Sequence, residues 1–189
     1  MEEKIKQMNK SFKFFQIESS SLIPNELINS EYTEDKYFKI DKEFSLKPET
    51  TPASYDYAKE VFTGEALPPI CVYQLSKSFR REDDKTHRHM RLKEFYQLEF
   101  QIIYSPNTAT DYSINIYPDV LKAVSDMIGE CKIEESVRLP DYSEQTTDII
   151  CVKSDMEVCS ISKRKDLEGY KVIEIAIGTD RCIYNFQNK

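Results

Sequence analysis

The feature that most limits what this chain can fold into is a pair of alternating segments, "CVYQLSKSFRRE" (71–82) and "FYQLEFQII" (95–103). In the first, Gln74, Ser76, Ser78, Arg80 and Glu82 fall at every second position with Leu75 and Phe79 between them, and side chains two apart share one face of a strand. In the second, Gln97, Glu99 and Gln101 alternate with Leu98, Phe100 and Ile102 in the same way. A loop at 83–90 joins them, so the spacing predicts an antiparallel hairpin with one polar face. That face holds more hydrogen-bonding groups than a core needs. Its strands end in Phe79-Arg80-Arg81-Glu82 and "RLKEF" from Arg91, charged residues in place of turn formers, which reads as a ligand site. The loop carries the only two histidines, His87 and His89; two residues apart and without further ligands nearby, they read as part of a solvated loop.

The rest of the chain frames this hairpin. "PETTPASYDYAKEVF" predicts a helix of about three turns, with Thr51 as cap, Pro52 at the first helical position, and Tyr55, Ala58, Val61 and Phe62 on one face. "FFQIESSSLIP", "DKYFKID" and "EFSLKP" before it read as short extended segments. Downstream, "YPDVLKAVSDMIGEC" predicts an amphipathic helix with Pro118 near its start and Val120, Val124, Ile128 and Cys131 in a stack. Three β-rich runs follow, "TDIICVKS", "MEVCSISK" and "KVIEIAIG", and "TDRCIYNFQNK" reads as a short helix after Gly178. Strands in runs with a few helices between them predict an α+β fold built on an antiparallel β-sheet flanked by helices.

Composition narrows the function. A chain of 189 residues supports one domain with a real core, and its four glycines mark no linker. A formal charge of -7 argues against a protein that coats nucleic acid, because phosphate binding rewards a basic surface. Five cysteines, Cys71, Cys131, Cys151, Cys159 and Cys182, form no C-x-x-C pair, so they read as reduced packing residues. No apolar run reaches spanning length and the start is charged, so a soluble, cytoplasmic protein without membrane contact is expected.

The segment "LPPICVYQLSKSFRREDDKTHRHMRLKEFYQLEF" resembles motif 2 of the class II aminoacyl-tRNA synthetases in the glycyl-type version, with Phe79, Arg80, Glu82, Arg91 and Phe95 on the motif. "LKPETTPAS" is similar to that family's segment upstream of motif 2, and "MEVCSISKRKD" to the one before motif 3. "VIEIAIGTDR" resembles motif 3 through Glu174, Gly178, Asp180 and Arg181, and "FQIESSSLIP" the end of motif 1. The matches run in family order from Phe14 to Phe186. The resemblance implies an ATP site: Arg80 on the α-phosphate, stabilising the charge that develops there, Arg181 and Arg91 on the terminal phosphates, Phe95 stacked on adenine and Glu82 reading its amino group. It also implies magnesium held by Glu174 or Glu157, and an amino-acid pocket formed by Glu49, Gln97, Glu99 and Ala176, in which Glu49 and Glu99 grip the substrate ammonium.

Three departures shape the expectation. Ala176 and Ile175 stand where the family has serine and proline, which unsettles glycine as the substrate. Ser20 replaces the motif 1 proline of the dimer interface, although a homodimer is still expected. The sequence stops eight residues after Arg181, so a single catalytic domain without an anticodon-binding domain is expected. The resulting expectation is an ATP-dependent ligase that forms an aminoacyl-adenylate, for transfer to a tRNA acceptor end, a carrier or a small amine. The alternative is a non-catalytic synthetase-like accessory protein that binds nucleic acid or a protein partner.

Overall fold

The computed structural model describes Glu3, Ile5 and residues 12–62, 69–82 and 90–189. In chain order come β1 (Lys13–Gln16), β2 (Leu22–Pro24), β3 (Phe38–Lys39), β4 (Phe44–Leu46), α1 (Thr51–Val61), β5 (Ile70–Phe79) and β6 (Glu94–Tyr104). They are followed by α2 (Ser113–Ile128), β7 (Cys131–Glu135), β8 (Ser143–Cys151), β9 (Met156–Arg164), β10 (Lys171–Gly178) and α3 (Thr179–Gln187). A seven-stranded sheet runs β1-β5-β6-β10-β9-β8-β7, and β2, β4 and β3 form a small second sheet. The expected hairpin is present, with β5 and β6 antiparallel from Ile70↔Ile103 to Phe79↔Glu94. The expectation of an antiparallel sheet holds except at one edge, where β1 lies parallel to β5. A four-residue strand has too little pattern to announce its direction. The turn between β5 and β6, with His87 and His89, lies outside the described residues.

One face of the large sheet is the core. Phe100, Ile102, Ile161, Ile173, Ile175 and Ile177 pack there under α2 and α3, and each fully buried side chain of this kind contributes roughly 1.5–3 kcal/mol. Val120, Val124 and Ile128 of α2 point into it at the predicted four-residue spacing. Cys131 does not continue that stack, because Gly129 ends the helix at φ 106° and Cys131 opens β7. The helix also starts earlier than read, at Ser113, with Pro118 inside it. The carbonyl that this proline leaves without a donor belongs to the exposed Ile114.

The opposite face is half covered. Tyr55 and Ala58 of α1 pack on Ile70, Val72, Ile103 and Val172, and beyond them the face turns largely polar, with Ala176 and Phe95 among its side chains. Thr51, read as the cap of α1, is its first helical residue, with Thr50 before it as the N-cap. The hydroxyl of Thr51 is used inside the sheet instead. All five cysteines are free thiols. Among the described residues no helix is long and apolar enough to cross a membrane.

Candidate active site

Strand register sets out the uncovered face as rows. One row crosses Gln101 of β6, Glu174 of β10, Ser162 of β9 and Thr146 of β8. The next crosses Gln74, Glu99, Ala176, Ser160 and Asp148. Alternation turns every one of these side chains to the same side. The loop before α1 brings Glu49 over them, and the ends of β5 and β6 with the start of α3 bring Arg80, Phe95 and Arg181 to the other end. The residues singled out from the sequence, namely Glu49, Arg80, Glu82, Arg91, Phe95, Gln97, Glu99, Glu157, Glu174, Ala176 and Arg181, all line one cleft of about 290 Å³.

The carboxylate end is a hydrogen-bonded network. Gln101 Nε2 donates to Glu99 Oε1 at 2.8 Å and to Glu174 Oε2 at 2.7 Å. The Thr51 hydroxyl lies 2.9 Å from Glu99 and 3.0 Å from Glu174. Gln97 Nε2 donates to Glu99 Oε2 at 2.5 Å. At the centre is a residue that sequence reasoning missed, Arg164, only 3% exposed. Its guanidinium donates to Glu174 at 2.6 Å, forks onto Asp166 at 2.6 and 3.1 Å, lies 3.5 Å from Glu49 and stacks 3.9 Å from the centre of the Tyr142 ring. A signal was present: Ser160, Ser162 and Arg164 alternate along β9, the same mark that exposed the hairpin.

Burial controls ionisation here. Desolvation pushes the Glu49 carboxyl up to about 7, with Arg164 opposing and Glu174 and Glu99 adding to the rise. Glu99 is raised as well, first by burial and then by Glu174. Glu49 is 5% exposed, and among the described residues its partner is the guanidinium of Arg164, at ion-pair distance.

The arginine end is organised differently. Arg80 donates from Nε to the Pro48 carbonyl at 2.9 Å and lies over the Tyr32 and Phe95 rings, 5.3 and 5.2 Å from their centres. Among the described residues nothing takes its two Nη groups, which leaves a planar fork for an anion. Arg181 donates to the Glu157 carbonyl at 2.8 Å and lies 3.6 Å from its carboxylate. Arg91 and Glu82 are 3.8 Å apart at the rim.

Glu157 reaches the cleft through an irregularity. Strict alternation would place it with Cys159 and Ile161 in the core, but the register passes from Ile149↔Cys159 to Ile150↔Glu157. The extra residue, Val158, turns into the core and Glu157 turns out. The two carboxylates named for magnesium are not brought together: Glu157 lies five residue steps along β9 from Ser162, the cross-strand partner of Glu174, a span of roughly 15 Å.

Residues 32–179 match the family model described as the tRNA synthetase class II core domain (G, H, P, S and T). The chain belongs to the class II aminoacyl-tRNA synthetases. Glycine–tRNA ligases of Mycolicibacterium vanbaalenii and Mycolicibacterium paratuberculosis are 34% identical to it over 68 residues, 35% of this chain. The matched stretch spans only 14% and 15% of those relatives' own lengths. Two solved structures of pyrrolysyl-tRNA synthetase from Desulfitobacterium hafniense align with all of this chain and 68% of theirs, with TM-scores of 0.73 and 0.71 at 18% and 17% identity. The synthetase fold is therefore shared at low identity.

The raised carboxyls of this synthetase core carry a stability prediction. A carboxyl whose folded-state pKa lies above its unfolded value holds its proton more tightly when folded. Glu49 therefore adds stability that is fully present below about 4.5 and is lost as pH rises through about 7, and Glu99 acts in the same direction. The unliganded protein is expected to melt roughly 5 °C higher at pH 5.5 than at pH 8. Scanning calorimetry across that range checks it, and a melting temperature that falls on acidification would contradict the assignment.

Proposed function

We propose that the cleft binds magnesium ATP and an amino acid and joins them as an aminoacyl-adenylate. The observation that carries this reading is the division of one cleft into an end of open arginine donors and an end of desolvated carboxylates. Phosphate oxygens need planar, fixed cations, and an ammonium needs buried negative charge. Phe95 offers a ring for adenine and Glu82 an acceptor for its amino group, while Arg91 and Arg181 hold the terminal phosphates. Glu49 and Glu99 hold the amino acid's ammonium, with Gln97 orienting Glu99 and Ala176 leaving space beside it. Its carboxylate oxygen then attacks the α-phosphorus, the bridging P–O bond to the β-phosphate breaks, and pyrophosphate leaves. Arg80 stabilises the charge that gathers on the α-phosphate oxygens, where a fixed donor contributes most.

Magnesium prefers a carboxylate or two alongside phosphate oxygens and water. Glu157, half exposed beside Arg181, suits that role better than Glu174, which has one oxygen committed to Arg164. Bound there, the ion would offset phosphate charge. The acceptor of the activated group is a tRNA end, a carrier or a small amine. The same reading takes the chain as one catalytic domain of a cytoplasmic homodimer.

The test is amino-acid-dependent exchange of pyrophosphate into ATP, run with magnesium, without RNA, across all twenty amino acids. Exchange with one amino acid is the expected result. Absence of both exchange and ATP binding by calorimetry would replace the ligase with an accessory protein that keeps only the fold.

A further inference from the structure

The amino-acid end of the cleft continues past the carboxylates. The row through Glu99 and Ala176 extends over Ser160 of β9 and Asp148 of β8 to Glu134 of β7. Beside it, the hydroxyls of Thr146 and Ser162 meet at 3.2 Å. This part of the floor carries small polar side chains and a carboxylate, while Val137, Pro140 and Tyr142 line the cleft around them. Asp148 lines the cleft half-buried, and among the described residues it has neither a hydrogen-bond donor nor a cation. Its cross-strand neighbour Glu134 is neutralised by Lys132 at 2.6 Å. Like charges placed opposite each other destabilise a strand pair unless a cation intervenes. Asp148 therefore faces the cleft with a charge to be matched.

We infer that this floor holds the side chain of a diamino acid, an amino acid whose chain ends in a second ammonium, seated against Asp148 and the hydroxyl of Ser160. The inference rests on the amino-acid-binding reading above and names its substrate class. The span agrees. Glu99 on β6 and Asp148 on β8 lie in one row three strand spacings apart, roughly 14 Å, and a hydrogen bond of about 3 Å at each end leaves about 8 Å. That is close to the separation of the two nitrogens in an extended diamino acid of lysine length, with ornithine one methylene shorter. Glu49, nine-tenths buried with Arg164 3.5 Å away, receives the α-ammonium at the near end together with Glu99.

The experiment is binding of L-ornithine and L-lysine against glycine and against norvaline and norleucine, which have the same carbon chains without the terminal nitrogen, read by calorimetry on the full chain. The diamino acids should bind at least about ten-fold more tightly, the discrimination given by a charge-assisted hydrogen bond. Asp148→Asn should remove that preference. Glycine or norleucine binding as tightly as lysine, no binding by any of them, or a preference that survives Asp148→Asn would overturn the inference. Binding requires no ATP, so the two readings separate. A diamino-acid preference without pyrophosphate exchange would refute adenylation and keep the subsite, and exchange restricted to glycine would do the reverse.

Discussion

Replacing Arg80 with alanine is expected to lower kcat/KM for pyrophosphate exchange by about 10³-fold, with little change in far-UV circular dichroism. The size follows from what the guanidinium offers. One nitrogen is fixed on the Pro48 carbonyl, two aromatic rings hold the plane, and the open fork faces the cleft. Nothing needs to reorganise as charge develops on the α-phosphate. Arg80→Lys should recover little, because a point charge on a flexible stem replaces neither the fork nor its stacking. Arg181→Ala should act mainly on ATP affinity, since the proposed reading sets it on the terminal phosphate. Exchange within about three-fold of the parent for Arg80→Ala would remove this residue from the chemistry.

The largest effect on stability is expected at Arg164. Arg164→Met leaves Glu174, Glu49 and Asp166 without their shared cation in a site that water scarcely reaches. Breaking a buried ion cluster from one side costs about 3–5 kcal/mol, which is a large part of the 5–15 kcal/mol that holds a typical domain together. The melting temperature should fall by roughly 10 °C. Adding Glu174→Gln to Arg164→Met should return part of that loss, because the second change removes one of the stranded charges. Melting within about 2 °C of the parent would show that the carboxylates find another cation or simply protonate.

Much of the site was legible because strands write their faces into the sequence at a period of two. Gln74, Gln97, Glu99 and Gln101 needed only alternation to be placed on one side, and the isoleucines of β10 only the same rule to be placed on the other. What alternation does not contain is register. That Glu174 sits beside Gln101, and Ala176 between Glu99 and Ser160, follows from how strands distant in sequence pair. Glu157 shows the limit most clearly: its side chain faces the cleft only because one extra residue in β9 breaks the alternation that would have buried it.

Lys47 marks another limit. It stands in "LKPETTPAS", is 1% exposed and donates to the Ser19 carbonyl and to the Ser19 and Ser76 hydroxyls, at 3.1, 2.7 and 2.7 Å. Burial lowers its pKa to about 8. Its role as a tie between the segment after β1 and β5 depends on contacts across some thirty residues, and no local pattern encodes them.

The sequence by itself determined the element types, the two-sided character of the sheet, the polar inventory of the site and, through collinear motifs, the family. These are local or ordered properties of a chain. Only the tertiary structure decided which charges share a cavity: that Arg164 sits among Glu174, Asp166 and Glu49, that burial raises the Glu49 carboxyl, and that Asp148 faces the same cleft. Ionisation and recognition depend on distance and dielectric, and both are set when separated segments of the chain are brought together and water is removed from between them.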